Sequence, residues 1–307
     1  MKHIYLNNNL LFLFLVIIMS LISCSIDKIK NETQMEDVKY KIEKFISSKQ
    51  GIYAIAYKDL QNGNTIFINK HEPFHAASTM KTPVMIEIFK QTEQSKFSIN
   101  DSLVVHNSFK SIVDSSEFSI GKEDDSDQEI YNLIDSQMTI NRLMHRMITV
   151  SSNLATNLLI ELVDAKNVTQ TMRELGANDI QILRGVEDSK AFNAGLNNST
   201  TAFDLLVIFE HLAKKDFLTE QSHDAIINIL LDQKLNDKIP AKLPKEIKVA
   251  NKTGSITNIE HDSGILFLPD GRKYVLIMLS KNLDGNESGI ETLAEISKMI
   301  YEEIYLN

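Results

Sequence analysis

The 307-residue chain contains one cysteine, no tryptophan, five prolines and 11 glycines. A single cysteine forms no intramolecular disulfide and no multi-thiolate metal site, so stability must come from an ordinary core. Scarce Gly and Pro exclude collagenous and low-complexity architectures, and no repeat period is visible. Positive charge is also in deficit: 32 Lys+Arg stand against 41 Asp+Glu, a formal charge of −9. Nucleic-acid binding draws on surplus Lys and Arg, so no polyanion partner is expected. Only one long apolar run occurs, near the N-terminus, which excludes a multi-span membrane protein. What remains is globular composition, 43% hydrophobic and 24% charged, which excludes a disordered chain. The length allows one large domain or two of roughly 150 residues.

Residues 1–23 carry one charged side chain, Lys2, followed by the apolar run Leu10 to Ile22. A basic start and a greasy stretch of this length read as a secretory signal. The run ends Leu21-Ile22-Ser23-Cys24, which resembles a bacterial lipobox, whose cysteine is diacylated and becomes the new N-terminus. The competing reading is a spanning anchor with an incidental cysteine, for which the run is at the short end. With the lipobox, 1–23 is a signal peptide and 24–36 a polar tether. Residues 37–307 are then the folded domain, held in the cell envelope by lipidated Cys24 and facing the periplasm or the surface. Loss of the leader removes Lys2, making the charge one unit more negative. It also leaves no free thiol, which excludes a cysteine nucleophile.

Periodicity organises the remainder. Val38, Ile42, Phe45 and Ile46 recur at helical spacing. Strands are expected at Ile52–Tyr57 and Thr65–Ile68, joined by a turn containing Asn62-Gly63. A helix follows from Thr79, and another from Thr139 with the stripe Ile140, Leu143, Met144, Met147, Ile148. Leu154, Leu158 and Leu162 begin the next, and Phe203–Leu212 and Ile226–Leu231 are further apolar helices. The C-terminal third turns to strands at Lys248 to Thr257, Gly264–Leu268 and Tyr274–Leu279, with Pro269-Asp270-Gly271 as a turn. A final helix carries Ile290, Leu293, Ile296, Ile300 and Ile304 on one side. Strands at both chain ends around a helical middle predict an α+β fold. In it, one antiparallel sheet built from both termini packs on flanking helices, beside an all-helical lobe.

Two features point away from chemistry. His71-Glu72-Pro73-Phe74-His75 fits a zinc-peptidase pattern, but that pattern needs a helix and Pro73 stands between the two histidines. These read as loop residues, and no metal or organic cofactor is implied. The acidic stretch Ser115–Glu129 reads as a solvated loop.

The chemistry lies elsewhere. Ser78-Thr79-Met80-Lys81 opens an amphipathic helix just after a strand, placing a serine and a lysine one turn apart on one side. A serine hydroxyl needs an adjacent base, and a lysine amine serves when burial or a second cation lowers its pKa. Ser-x-x-Lys also occurs at Ser25 and Ser119, so the motif alone is weak. Ser-x-Asn occurs at Ser98, Ser151 and Ser280, but only Ser151-Ser152-Asn153 lies between two amphipathic helices. Lys252-Thr253-Gly254 occurs once, within an expected strand and followed by Ser255.

In this order and local context, the three motifs resemble those of the penicillin-recognising serine hydrolases, and among them the class A β-lactamases. The resemblance extends from about Asp37 to Leu306. It implies that Ser78 attacks the substrate carbonyl to form an acyl-enzyme and that Lys81 takes or relays its proton. Ser151 would pass a proton to the leaving nitrogen. Asn153 would bind the acyl-amide side chain, and Lys252 and Thr253 the substrate carboxylate. Gly254 would allow close approach of the strand, and the N–H groups of Ser78 and Ser255 would form the oxyanion hole. The charge of Lys252 would depress the Lys81 pKa.

Two departures from the family pattern matter. The loop motif is usually Ser-Asp-Asn, whose aspartate braces the loop, and here Ser152 stands in the middle. The family's Arg-x-Glu-x-x-Leu-Asn loop supplies the glutamate that activates the deacylating water. Here the chain reads Arg184-Gly185-Val186-Glu187, with Leu196-Asn197 only later. Glu187, or less readily Asp188, is the candidate for that role. Three readings stay open: a serine β-lactamase, a penicillin-binding-like D-Ala-D-Ala peptidase or transpeptidase with slow deacylation, and a non-catalytic lipoprotein binding peptidoglycan fragments. A monomer is the default.

Overall fold

The computed structural model describes residues 32–306. Helix α1 covers 32–46 and leads into β1 (Ile52–Asp59), β2 (Thr65–Ile68) and the short β3 (Phe74–His75). A 3₁₀ turn, Ala77–Met80, runs directly into α2 (Lys81–Glu93). Short strands β4 (Ser102–Val104), β5 (Phe109–Lys110), β6 (Glu117–Phe118) and β7 (Gln137–Thr139) precede the helical lobe. That lobe holds α3 (Ile140–Thr149), α4 (Asn153–Val163), α5 (Ala165–Glu174) and the brief α6 (Ser189–Asn193). After β8 (Ser199–Thr200) come α7 (Ala202–Lys214) and α8 (Glu220–Leu231). The chain closes with β9 (Lys248–Ile256), β10 (Ile259–Phe267), β11 (Lys273–Lys281) and α9 (Asn286–Tyr301).

The main sheet is antiparallel in the order β2-β1-β11-β10-β9. Both chain ends therefore meet where β1 pairs with β11, as the strand–helix–strand pattern implies. Alternation along β11 shows why the sheet is covered on both faces. Tyr274, Leu276 and Met278 join the core shared with α1 and α9, while Val275, Ile277 and Leu279 join the larger core of the helical lobe. Tight turns use the residues the sequence supplies: Gly63 (φ +77°) in the β1–β2 turn and Gly271 (φ +89°) between β10 and β11. Strand β9 is the last in the order, so one of its edges stays free for the helical lobe and the cleft between them.

Several expectations need correction. Helix α1 begins by residue 32, not at Asp37, and Met35 is buried, so the last part of the expected tether belongs to the domain. Signal peptide 1–23 and Cys24 lie outside the described residues. Among those described, no helix is long and apolar enough to cross a membrane. Strand β10 starts at Ile259, five residues before the expected Gly264. Its polar segment His261-Asp262-Ser263 is wholly buried and bonded internally, so hydropathy hid it. Nor is the acidic stretch merely solvated. Asp125 and Asp127 are buried, and Asp127 receives two 2.6 Å bonds from the Arg146 guanidinium.

Candidate active site

Ser78 lies in the 3₁₀ turn rather than in the α-helix proper, and Lys81 is the first residue of α2. Ala77, just before Ser78, sits at φ +44°, a conformation an L-residue holds only when its surroundings fix it. His75 supplies part of that restraint. Its Nδ1 accepts the Ala77 N–H at 3.0 Å, and the buried His261 ring donates to the His75 carbonyl at 2.9 Å. His75, read above as a loop residue, is thus a strand residue that shapes the turn carrying Ser78.

Lys81 has no exposed surface. Its Nζ donates to Ser151 O at 2.7 Å, to Ser151 Oγ at 3.1 Å and to Asn153 Oδ1 at 2.9 Å. Among the described residues the Ser78 hydroxyl has no hydrogen-bond partner, so the serine and the amine share a site without being bonded. Catalytic contacts commonly tighten only once substrate is bound. Burial lowers the Lys81 pKa to about 7, against the charges of Asp125 and Glu187, which raise it. The cause expected from sequence, repulsion by Lys252, is not the main one. That repulsion adds to burial in lowering Lys252 well below the usual lysine range.

Ser151 joins the two amines. Its φ of +59° turns the side chain into the site, and its Oγ also accepts from Lys252 Nζ at 3.0 Å. The Ser126 hydroxyl bonds the Ser151 carbonyl at 3.1 Å. A hydroxyl accepting from two amines keeps its own proton free for a group in the cleft.

Strand β9 closes the opposite wall. The β9–β10 hairpin turns through Thr257 and Asn258, with Ile256 opposite Ile259. Bonded and non-bonded pairs alternate from that closing pair, so Ser255 points its N–H to the free edge. The Ser78 N–H has no partner among the described residues, as at any first helical turn. Gly254 brings strand and turn together. A Cβ there would lie 3.2 Å from Ser78 N, Ala77 Cβ and Thr79 Cγ2. Ser78, Ser151, Asn153, Thr253 and Ser255 line one cavity of about 290 Å³.

Glu187, also at positive φ (+62°), meets the site through Asn153, whose Nδ2 donates to its Oε1 at 3.2 Å. Partial burial and the charge of Asp124 raise its pKa, opposed by Lys81 and Arg184. Its loop is built differently from the family pattern. Arg184 closes it by donating to Leu196 O at 2.9 Å and Asn197 Oδ1 at 3.0 Å, and Asn157 clamps both the N–H and C=O of Val186. Asp188 faces away and accepts from Ser111 Oγ, Ile112 N and Ala191 N, so it ties loops together and is not positioned beside Ser78.

Sequence reasoning missed Lys238. It lines the same cavity while almost fully buried, 3.0 Å from both Glu260 and Asp237. Burial opposes its charge, but Glu260, Asp262 and Asp237 outweigh that and raise its pKa. No motif marks it, because Glu260 and Asp262, the carboxylates that most favour its charge, are distant in sequence.

The comparisons with known proteins accord with this architecture. The sequence profile of the β-lactamase enzyme family matches residues 37–304. A β-lactamase of Bacteroides uniformis is 24% identical over 303 residues, covering 94% of this chain and 98% of that protein. β-Lactamase VEB-1 of Pseudomonas aeruginosa is 22% identical over 305 residues, covering 95% and 98%. A variant of PBP-A, solved as an acyl-enzyme with penicillin G, superposes with a TM-score of 0.76 at 23% identity, covering 89% of this chain and 97% of that one. With the profile spanning nearly the whole described chain, the protein belongs to the β-lactamase enzyme family.

Proposed function

We propose that the chain is a class A-like serine β-lactamase that hydrolyses the β-lactam amide through an acyl-enzyme on Ser78. The observation that carries this is the convergence of two buried lysines on the Oγ of Ser151, a residue that lines the same cavity as Ser78. With a pKa near 7, Lys81 has a substantial neutral fraction at physiological pH and can take the Ser78 proton as Oγ attacks the carbonyl. Negative charge developing on the carbonyl oxygen meets the N–H groups of Ser78 and Ser255. Ser151, bonded to both amines, protonates the departing nitrogen and takes the proton that Lys81 received from Ser78. Lys252 and Thr253 receive the substrate carboxylate, and Asn153 the acyl-amide side chain. For deacylation, Glu187 holds a water and removes its proton as the water attacks the ester, and that same proton passes from Glu187 by way of Lys81 to the departing Ser78 oxygen, restoring all three groups.

The second reading, a D-Ala-D-Ala peptidase or transpeptidase with slow deacylation, is favoured by one observation. Glu187 stands one residue further from its arginine than the family pattern places the water-activating glutamate. Purified protein mixed with a chromogenic cephalosporin separates the two. Repeated turnover that vanishes in Ser78→Ala supports the lactamase. A single burst with a stable adduct favours the peptidase, and turnover retained in Ser78→Ala refutes both.

The Leu-Ile-Ser-Cys motif supports a further part of the reading, that Cys24 is lipidated and tethers the enzyme to the bacterial envelope. Labelled fatty acid should enter the protein in cells and be lost in Cys24→Ser; label retained by that variant rules the anchor out.

A further inference from the structure

Asp125 belongs to the acidic loop that the sequence marks as surface, yet it is 3% exposed. Its carboxylate collects four donors. Oδ1 accepts from Asn153 N and Asp127 N, both at 2.9 Å; Oδ2 accepts from Leu154 N at 2.8 Å and the Tyr131 hydroxyl at 3.2 Å. The N–H groups of Asn153 and Leu154 open α4, where no helical carbonyl precedes them. Ser152 is the N-cap of that helix, but its one side-chain oxygen serves only Ala155 N, at 3.3 Å. A carboxylate from a segment 28 residues upstream therefore completes a cap that Ser152 cannot.

The capped residue is Asn153, whose side chain bridges the chemistry: Oδ1 accepts from Lys81 Nζ at 2.9 Å and Nδ2 donates to Glu187 Oε1 at 3.2 Å. We propose that Asp125 is the positioning residue of this site, fixing the first turn of α4 so that Asn153 holds Lys81 and Glu187 in register. The assignment rests on the lactamase reading above. It gives the loop with Ser152 at its centre the brace that its own sequence lacks. Asp125 also acts through charge, since it is the foremost anion favouring protonated Lys81, followed by Glu187. The other charged or titratable groups facing this pair are Lys252 across Ser151, and Asp124 and Tyr131 beside Asp125.

The experiment measures single-turnover acylation of the whole purified protein by a chromogenic cephalosporin against pH, with melting temperature alongside. In Asp125→Asn, which is close in shape and uncharged, the plateau rate should fall about tenfold as Asn153 loses its anchor. The acid limb should move to lower pH, because Lys81 loses a proton more readily without the anion. Below the limb, the rate relative to plateau should rise about threefold or more. Asp125→Glu, which keeps the charge but displaces it, should lower the plateau and leave the limb in place. If Asp125→Asn does not fold, Asp125→Ser carries the same two readouts. A role confined to stability lowers the melting temperature without moving the limb. An unmoved limb in the uncharged variant, or a plateau within twofold of wild type, overturns the assignment. A wild-type protein that is never acylated defeats instead the reading on which it rests.

Discussion

Replacing Lys81 by methionine should make the protein more stable and inactive, and the gain should depend on pH in a fixed direction. An amine whose pKa falls from 10.5 unfolded to about 7 folded opposes folding wherever the unfolded chain is protonated. The penalty is about 4 kcal/mol at pH 7, about 2 at pH 9 and near zero above pH 10.5. Methionine fills a similar volume and escapes that penalty. Against it stands the loss of three hydrogen bonds. Ser151 Oγ keeps Lys252 as a donor, but the one Ser126 hydroxyl proton is shared between Ser151 O and the nearer Val150 O, so Asn153 Oδ1 and in part Ser151 O lose their donor, at about 1–3 kcal/mol together. The net gain is then about 1–3 kcal/mol near pH 7, shrinking by about 2 at pH 9. Relief of Lys252, which feels the Lys81 charge, acts in the same direction. Urea unfolding of both proteins at pH 6, 7.5 and 9 measures the gap, while acylation should drop by roughly 10²–10⁴-fold. A gap that stays constant or widens as pH rises would show that Lys81 is not held against its charge.

Two further outcomes follow from the loop that carries Glu187. Glu187→Gln should leave acylation within a few-fold of wild type while steady-state turnover stalls with acyl-enzyme accumulated; unchanged turnover in a stopped-flow and steady-state comparison removes Glu187 from the mechanism. In Gly185→Ala the new Cβ would fall 2.2 Å from Asn157 Oδ1, the atom that holds Val186 N. The loop must shift, so deacylation should suffer more than acylation, and equal loss in both steps would contradict this account of the clamp.

Much of this architecture was legible because local rules and global fold agree. The stripe from Ile140 to Ile148 had to face a core, and alternation in β11 is consistent with a sheet covered on both sides. Ser78, Ser151 and Lys252 were legible as a group because each motif sits at a junction: a strand-to-helix turn, an interhelical loop, an edge strand. What stayed hidden was polar and buried. Asp125 and Lys238 are charged residues in segments without periodicity, and nothing local shows that distant partners desolvate them. His261-Asp262-Ser263 falls outside the strands that hydropathy marks, because only its neighbours in the fold supply its hydrogen bonds. The cause of the Lys81 shift is hidden for a related reason: sequence shows which charges are present, but burial belongs to the assembled fold.

The central claim is that the Ser78 oxygen becomes covalently bonded to the substrate and is then freed. Acid-quenched mixing with a penicillin, followed by peptide mass spectrometry, addresses it directly. The account predicts one adduct with the mass of the intact penicillin, on the peptide bearing Ser78, transient in wild type and persistent in Glu187→Gln. Turnover with no adduct at any time, or an adduct on another side chain, would contradict it.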